Sequence, residues 1–298
     1  MPVPMRNTIG RASPTRIYEF GEKVHKKLVK ENEAKQAARE RSGKISGGKL
    51  GKPTLWAVLD LIGVPDEFDP YVLGKFQRGN DVEDRAIQFL TGIDPHDVEP
   101  EKLIPSKPGA VLTGHFAMQR QSGYRGGTGY IDLSQVVGEV KEGVIPAPEQ
   151  WVYHEIKSST KMAYDKVSAS GRYKGVVDVE KGVGVPYYHH ALQIAYYCLA
   201  DGVSRAFLHY LNADDYRLCS FAINPMDYKE EIDKEIDDIE LCFVTKQLPA
   251  FEGFLPYHKI KAYWSYKEWN ELTPEQMMFK LQHDYPEQYK KFMEMKLS

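Results

Sequence analysis

The sequence predicts an α/β fold in which a central mixed β-sheet is flanked by helices, with helical additions at the N- and C-terminal ends. Two observations support this fold class. Apolar residues recur at helical spacing near both ends of the chain, and strand-like apolar runs lie between them, interrupted by one helix. With 298 residues, of which 27% are charged, the chain resembles an ordinary globular protein in composition and is long enough for one large domain or two small ones.

Helices are predicted in the N-terminal third of the chain. A charged segment within the first forty positions carries an apolar stripe at helical spacing. Its members are Ile17, Phe20, Val24 and Leu28. A Gly/Ser/Lys-rich linker at 42–53 leads to a short helix that Gly63 is expected to end. Asp69 and Pro70 form the start of a longer helix, which is expected to end at Gly92.

Strands are predicted in the middle of the chain. Five segments have the apolar runs or alternation of strands. They are VLTGHFAMQ (111–119), GYIDLS (129–134), WVYHEIK (151–157), RAFLHYLN (205–212) and YRLCSFAI (216–223). The first two are expected to form a hairpin, and a helix at 187–200, ended by Gly202, precedes the last two. Asn224 with Pro225 begins a further helix, and Thr273 opens the last one with the form of a capping box.

The distribution of charge divides the chain into two parts. Net charge is only −3, which argues against a simple polycation. Basic residues nevertheless outnumber acidic ones between positions 21 and 52. A basic arm on a neutral body is typical of a protein with a polyanionic partner, although a solvated helix has the same composition. We therefore expect a basic helical arm with its linker, residues 1–52, and a main domain with C-terminal helices, residues 53–298.

Cysteine usage and hydropathy exclude several classes of protein. The three cysteines, Cys198, Cys219 and Cys242, form no C-x-x-C pair, so neither a zinc ribbon nor a disulfide framework is indicated. A reduced, cytoplasmic setting fits this usage best. The N-terminus has no apolar signal-peptide core, and no apolar run approaches the length of a membrane span, so no membrane partner is expected.

An acid and a base stand side by side at the end of one predicted strand. Glu155 and Lys157 are two residues apart in WVYHEIK, so both point to the same face of the sheet. Asp132 lies in another predicted strand, GYIDLS. Two strands that each deliver a carboxylate form a site for a hard cation, and Mg²⁺ prefers oxygen ligands. The ammonium of Lys157 could orient an attacking water or offset charge in a transition state.

Two helices supply further candidate residues. Glu83 follows Gly79 by four positions and therefore shares its helical face, where the glycine leaves room for a phosphate or a metal. On the helix at 187–200, Gln193 precedes Tyr197 by one helical turn on a polar face. Taken singly, these residues have ordinary explanations: close helix packing at Gly79, a solvent-facing charge at Glu83 and a wetted boundary face for Gln193 and Tyr197.

A pair of histidines in the same helix is a weaker signal. His189 and His190 could be metal ligands, but adjacent residues of a helix face different directions. We therefore expect two separate surface histidines.

The ordered set G-x-x-x-E, G-Y-I-D, E-I-K and Q-x-x-x-Y resembles the PD-(D/E)XK nuclease superfamily. Within it, the resemblance is to the branch that contains RecB-type nuclease domains, CRISPR-associated adaptation nucleases and phage recombination exonucleases. It covers about residues 79–197 and implies a restriction-endonuclease-like core in residues 53–298. It also implies the site residues. Glu83, Asp132, Glu155 and the carbonyl of Ile156 would bind Mg²⁺ or Mn²⁺, Lys157 would serve catalysis, and Gln193 and Tyr197 would support the site and the phosphate.

Departures from the family pattern narrow the expected function. Members with an iron–sulfur cluster carry one early and three late cysteines, which this chain lacks, so no cluster is expected. A stand-alone, metal-dependent DNA exonuclease of phage or prokaryotic recombination, repair or degradation fits best. Two alternatives stay open: a structure-specific or restriction-like endonuclease of the same fold, and a DNA-binding module without catalysis. A second copy of the chain and a recombination protein both stay open as partners besides DNA.

The polar stretch 158–186 is the predicted DNA contact surface. Its lysines and arginine alternate with tyrosines, and this mixture suits a frayed strand because phosphates meet the charges while bases stack on the rings. A mobile solvent-exposed loop would have the same composition. The predicted DNA-binding residues are Arg78, Ser158, Lys161, Arg172 and Tyr173.

Overall fold

The computed structural model describes residues 22–24, 26–31, 34, 43–66, 70–92, 111–113, 116–139, 146–252 and 265–297. The chain divides into two compact units, one comprising Met1–Glu40 with Phe68–Arg78 and the other Arg41–Glu67 with Gly79–Ser298. In the first unit, the described residues between 22 and 34 are helical. The predicted division of the chain at position 52 stays a prediction.

A six-stranded sheet forms the centre of the second unit. Its strands are β1 (Val111–Thr113), β2 (Phe116–Gln121), β3 (Tyr130–Val136), β4 (Trp151–Ser159), β5 (Ala206–Asn212) and β6 (Leu218–Ile223). They lie side by side in chain order, and every neighbouring pair is antiparallel except β4 and β5, which are parallel. The sheet is therefore mixed, as predicted.

Besides the helical residues between 22 and 34, the described part of the chain contains seven α-helices. They are α1 (Thr54–Ile62), α2 (Pro70–Thr91), α3 (Lys161–Val167), α4 (Tyr188–Asp201), α5 (Lys229–Thr245), α6 (Pro274–Asp284) and α7 (Pro286–Glu294). The connection from β4 to β5 runs through α3 and α4, because a parallel pair of strands needs a crossover rather than a tight turn. With helices around a mixed sheet, the α/β fold class is confirmed. No helix in the described ranges is both long and apolar enough to cross a membrane.

The helix ends follow the signals in the sequence. Gly63 ends α1 with φ 92°, and Gly202 ends α4 with φ 69°, a left-handed conformation in which glycine has no steric penalty. Pro70 is the first residue of α2. At the start of α6, the Thr273 side chain accepts a hydrogen bond from the Gln276 N–H, and the Gln276 side chain accepts one from the Thr273 N–H. These boundaries confirm the predicted ones.

Helices cover both faces of the sheet. Val82, Ala86 and Ile87 of α2 pack with Leu133 and Ile156 in a small apolar cluster. The larger core contains buried residues of α1, α4, α5, α6 and α7. It also includes the strand residues Tyr153, Leu208 and Tyr210. Since side chains alternate along a strand, Ile156 faces α2, whereas Glu155 and Lys157 face the same side as Tyr210.

Two segments carry more structure than their composition indicates. The predicted linker includes Ile45 and Leu50, which are buried in the larger core, and a 3₁₀ turn at Gly47–Lys49. The linker interpretation is therefore wrong for residues 43–52. The polar stretch 158–186 contains α3 and a 3₁₀ turn at Gly171–Tyr173, and Asp178 and Val183 form a β-bridge.

Candidate active site

Glu155 and Lys157 form an ion pair on β4. The Lys157 ammonium donates to Glu155 Oε1. The Glu155 side chain is fully buried, whereas the Lys157 side chain keeps 21% of its exposure, so the pair opens to solvent through the lysine. The other carboxylate oxygen, Glu155 Oε2, is buried and has no hydrogen-bond partner among the described residues. A buried polar atom without a partner is costly and needs an explanation.

Asp132 lies beside this pair. β3 runs antiparallel to β4 with Leu133 opposite His154, a register that brings Asp132 level with Glu155 on the same face. The backbone N–H of Ile156 donates a hydrogen bond of 2.7 Å to Asp132 Oδ2. Because this bond fixes the carboxyl group to the next strand, two strands present their carboxyls together, as the sequence predicts.

Glu83 approaches from α2. Its carboxyl lies close enough to Asp132, Lys157 and Glu155 for their charges to shift its pKa. Farther toward the N-terminal end of the same helix, a Cβ placed on Gly79 would lie 3.4 Å from Ser158 Oγ. The turn of α2 that precedes Glu83 therefore contacts the end of β4, and this contact brings the helix to the carboxyls of the sheet.

The pKa values of the site residues show that acidic groups are in excess over basic ones. Burial and the neighbouring Asp132 raise the pKa of Glu83 to about 8, and the same two causes raise the pKa of Glu155 to about 8. Burial also raises the pKa of Asp132, although Lys157 and the Ile156 N–H oppose it. Burial alone would lower the pKa of Lys157, but the carboxylates of Glu155 and Asp132 raise it above its ordinary value. One ammonium thus faces three carboxyls.

The donor set fits a divalent cation chemically, although the carboxyls are not in a ligating arrangement. In the described ranges, no three histidine, cysteine or acidic side chains converge as a metal centre does. A hard cation would engage the free Glu155 Oε2, and it would favour the ionised forms of the carboxyls whose pKa values burial has raised. The residues that would hold it are Glu83, Asp132 and Glu155, with the Ile156 carbonyl available from the same strand.

Gln193 and Tyr197 lie on α4 near this group. Gln193 Nε2 donates to the Tyr197 hydroxyl at 3.4 Å. Burial, followed by the charge of Glu155, raises the pKa of Tyr197 above its ordinary value. A Cβ on Gly129 would lie 2.4 Å from Tyr197 Cε1, so the turn before β3 leaves space for this ring. The structure therefore gathers six of the predicted residues: Glu83, Asp132, Glu155, Lys157, Gln193 and Tyr197.

The expectation of two separate surface histidines is wrong. The His189 and His190 rings lie 4.0 Å apart between centroids, and both residues are half-buried. His190 Nδ1 is 3.0 Å from the Tyr210 hydroxyl. The two rings meet because they occupy the first turn of α4, which packs against β5.

Lys52 is a further charged residue near the site. It is half-buried, and burial together with the charges of Lys49 and Lys157 lowers its pKa to about 7. Its position depends on the packing of residues 43–52 against α4. No signal in the local sequence distinguishes Lys52 from the other lysines of that glycine-rich segment.

The predicted DNA contacts occupy several places. Arg78 is exposed on α2, and Ser158 is half-buried at the end of β4. Lys161 begins α3 and pairs with Asp165. Arg172 and Tyr173 are neighbours in a 3₁₀ turn, where the guanidinium donates to the tyrosine hydroxyl at 2.7 Å. Their contact with DNA stays a prediction.

Comparisons with known proteins give weak likenesses. No protein-family model and no curated protein matches the chain. Among solved structures, "SSO0001" is 15% identical with a TM-score of 0.35, covering 75% of this chain and 86% of its own. An alkaline exonuclease (LHK-Exo) from Laribacter hongkongensis is 14% identical with a TM-score of 0.30, covering 67% and 90%. The same exonuclease in complex with dAMP is 12% identical with a TM-score of 0.28. Scores this low carry no weight for the activity of this chain.

Proposed function

We propose that this chain is a metal-dependent deoxyribonuclease that hydrolyses phosphodiester bonds and begins at the ends of DNA. One observation carries the proposal: Glu155 has a buried carboxylate oxygen without a hydrogen-bond partner among the described residues, close to the carboxyls of Glu83 and Asp132 and to a lysine on the same face. An ion pair that only stabilises the fold would not need three acids for one base. A cation site would need them, because its carboxyls bind protons when the cation is absent and bind the cation when it is present.

The chain supplies the ligands and Mg²⁺ or Mn²⁺ is the proposed cofactor. Glu83, Asp132 and Glu155, with the Ile156 carbonyl, would hold it. When bound, such an ion withdraws charge from phosphate oxygens and makes a water more acidic. Asp132 is oriented for this role by the Ile156 N–H at 2.7 Å, and its position is therefore set before substrate arrives.

Lys157 is the proposed catalytic group. Its ammonium stays protonated because the carboxylates raise its pKa, so it acts as a donor rather than as a base. Placed beside Glu155, it would orient the attacking water and offset negative charge on the phosphate in the transition state. Hydrolysis then adds the oxygen of water to phosphorus, breaks the bond to the leaving sugar oxygen and transfers a proton to that oxygen.

Gln193 and Tyr197 would position the site rather than react. Their hydrogen bond joins successive turns of α4, and Tyr197 is also held by its backbone, whose carbonyl accepts a hydrogen bond from Ser122 Oγ at 3.3 Å. The tyrosine hydroxyl stays protonated at neutral pH because its pKa is raised. It therefore remains a hydrogen-bond donor for a phosphate oxygen.

Two other functions use the same residues. A structure-specific or restriction-like endonuclease would have the same acids and lysine and would differ in how DNA reaches them. A DNA-binding module without catalysis would not need Lys157 beside Glu155, so the complete set of acids with its lysine favours an enzyme. The proposed exonuclease role in phage or prokaryotic recombination, repair or degradation rests on the family resemblance of the four sequence motifs.

The discriminating experiment compares two DNA forms. Purified protein with Mg²⁺ is incubated with end-labelled linear duplex and, separately, with covalently closed circles. An exonuclease releases label from the linear DNA and leaves the circles intact. Nicking of the circles would favour the endonuclease, and no cleavage of either form, with binding retained, would favour the module without catalysis.

A further inference from the structure

Three polar side chains form a series of contacts on the face of the sheet opposite to Glu155 and Lys157. Ser220 of β6 lies opposite His209 of β5, and its Oγ is 2.7 Å from His209 Nδ1. The other nitrogen of this ring, His209 Nε2, is 2.9 Å from Nδ1 of His154 on β4. Three neighbouring strands therefore place one hydroxyl and two imidazoles within hydrogen-bonding distance of one another in a row.

The hydroxyl is open to solvent, whereas the two rings are held in the sheet. Ser220 is exposed, and His209 keeps only 6% of its exposure. The His154 and His209 rings are nearly parallel, with 11° between their planes and 5.2 Å between their centroids. A reagent can thus reach the hydroxyl, while packing fixes the rings behind it.

The hydrogen-bond pattern allows the hydroxyl to donate. A neutral imidazole has one N–H and one acceptor nitrogen. If Ser220 Oγ donates to His209 Nδ1, then His209 Nε2 carries the proton and donates it to His154 Nδ1, and the proton of His154 lies on Nε2. His154 Nε2 has no hydrogen-bond partner among the described residues, so no contact there enforces the opposite tautomer. A nucleophile, a base and a group that orients the base are the parts that activate a hydroxyl.

Both rings are neutral at pH 7, because burial lowers the pKa of His154 and of His209 to about 4. His209 can therefore accept a proton from Ser220. A base with so low a pKa is weak, so the reaction that it assists is expected to be slow.

The backbone of β6 supplies a further donor. β6 is the last strand of the described sheet, so the backbone groups on its outer side have no strand partner there. The Asn212 N–H donates to the Arg217 carbonyl at 2.9 Å, and hydrogen-bonded pairs alternate with non-bonded pairs along two antiparallel strands. By this alternation His209 and Ser220 form a non-bonded pair. The Ser220 N–H therefore points away from β5, where it can donate to an oxygen that becomes negative.

We infer that Ser220 is a nucleophile for acyl transfer, with His209 as its base and His154 as the residue that positions His209. Phe207 and Leu218 flank Ser220 on the same face and are 37% and 43% exposed, so they present an apolar surface beside the hydroxyl. The substrate class is therefore a carboxylic ester with an apolar acyl group. This activity is independent of the proposed nuclease function.

The reaction needs only the ester and water. Ser220 Oγ bonds to the carbonyl carbon as its proton passes to His209 Nδ1. The bond between that carbon and the alcohol oxygen then breaks, and the alcohol leaves with the proton from His209. Water attacks the acyl-serine, its proton passes through His209 to Ser220 Oγ, and the carboxylic acid is released.

Covalent labelling tests the nucleophile in the absence of DNA and divalent metal. The whole protein in EDTA is treated with a fluorophosphonate, which bonds the serine oxygen to phosphorus and releases fluoride, and peptide mass spectrometry identifies the labelled residue. We expect the label on Ser220. It should be lost in Ser220→Ala and retained in Ser204→Ala, which removes another exposed serine. Wild-type protein that carries no label on Ser220 would overturn the site, whatever the variants do.

A variant of the base measures its contribution. His209→Gln should slow the labelling of Ser220 by about 10²-fold, the lower end of the usual contribution of a general base. His283→Gln is the control, because it removes an exposed histidine of α6. Labelling at the wild-type rate by a folded His209→Gln protein would show that Ser220 is not activated by this ring.

Two variants of His154 separate positioning from packing. His154→Asn keeps an acceptor for His209 Nε2 and should retain most of the labelling rate. His154→Phe keeps the ring stack with Phe207 but has no acceptor, so labelling should slow and the imidazole nitrogen signals of His209 in NMR should show a changed tautomer. An unchanged rate and tautomer in a folded His154→Phe protein would remove His154 from the site.

Turnover is measured with p-nitrophenyl butyrate in EDTA. We expect slow, saturable hydrolysis that Ser220→Ala abolishes and Ser204→Ala retains. Hydrolysis that persists in Ser220→Ala would contradict acyl transfer at this serine. Ser220→Ala should hydrolyse DNA at the wild-type rate, because Ser220 lies on the opposite face of the sheet from Lys157. Loss of either activity alone therefore leaves the other proposal intact.

Discussion

Asp132 Oδ2 accepts a hydrogen bond of 2.7 Å from the backbone N–H of Ile156, so the carboxyl of one strand is held by the backbone of its neighbour. This contact separates two properties of the side chain. The oxygen that accepts the hydrogen bond supports the fold, whereas the negative charge serves the proposed cation. A substitution that removes only the charge therefore tests the metal site without removing the contact.

Asp132→Asn should abolish DNA hydrolysis and leave the protein folded, because the amide oxygen can still accept from Ile156. The matched variant Asp132→Ala should also be inactive but lose about 1–3 kcal/mol of stability, since a buried N–H is left without an acceptor. Hydrolysis of end-labelled DNA and denaturant unfolding measure the two effects. EDTA should stop hydrolysis by the wild-type protein. Normal turnover by Asp132→Asn, or in EDTA, would contradict the metal assignment.

Lys157→Ala should lower kcat by about 10² to 10⁴, the usual contribution of a positioned acid–base or electrostatic group. DNA affinity should change little, because most binding energy comes from other phosphate contacts. Single-turnover rates and equilibrium binding separate the two quantities. Lys280→Ala, on the C-terminal helices, serves as the control. A change confined to KM would mean that Lys157 only holds substrate.

The metal-free protein should lose stability as pH rises between the ordinary carboxyl pKa and about 8. Burial raises the pKa of Glu83 and of Glu155 to about 8, so the folded state binds these protons more tightly than the unfolded state. Their contribution is fully present below the unfolded pKa and is lost as pH passes through the folded pKa. Thermal unfolding in EDTA from about pH 5 to about pH 9 measures this slope.

Added Mg²⁺ should raise Tm more at high pH than at low pH, since the ion must displace the protons that the carboxyls hold. Glu155→Gln cannot release a proton and should flatten the slope in EDTA and reduce the effect of Mg²⁺. An Mg²⁺ effect that is equal at both ends of the pH range would show that the ion binds elsewhere.

Gly129→Ala should disturb the position of Tyr197. The added methyl group would lie 2.4 Å from Tyr197 Cε1, a distance at which the ring or the turn must move. Overpacking of this kind costs about 1–3 kcal/mol, and the rate should fall with it. Gly74→Ala is the control: its Cβ meets nothing within 4 Å on α2, so helix stability should rise. Unchanged rate and stability in Gly129→Ala would show that the ring adapts freely.

Local signals in the sequence were sufficient for most element boundaries. Gly63 and Gly202 end helices in left-handed conformation, and the capping box at Thr273 begins one. The spacing of Glu155 and Lys157 predicted their common face, because alternation along a strand depends only on position. These features depend on a few adjacent residues, which is why the sequence is enough to predict them.

Features that depend on distant contacts were not predictable. Residues 43–52 have the composition of a linker, and only the packing of Gly47 and Gly51 against α4 makes them part of the core. The position of Lys52 follows from that packing. Likewise, His189 and His190 meet because their helix begins over β5, where Tyr210 binds the start of α4. Neither relationship leaves a pattern in the neighbouring sequence.

We expect the turn that follows α3 to hold a DNA end. Arg172 and Tyr173 lie in the 3₁₀ turn that follows α3, and α3 directly follows the strand that carries Glu155 and Lys157. The Arg172 guanidinium stands 4.8 Å from the centroid of the Tyr173 ring, so a charge and a flat aromatic surface are presented together. A frayed strand would place a phosphate at the first and stack a base on the second.

Replacing both residues by alanine should therefore slow the degradation of linear DNA, while the Mg²⁺-dependent rise in Tm remains as in the wild type. Base–aromatic stacking contributes about 1–3 kcal/mol per base, which corresponds to roughly a tenfold to hundredfold loss at subsaturating DNA. Lys229→Ala, which removes an ammonium paired with Asp233 on α5, controls for the loss of a surface charge. If the double variant degrades DNA at the wild-type rate, the turn at 171–173 does not contact the DNA. If closed circles persist with every variant, the enzyme still requires a DNA end.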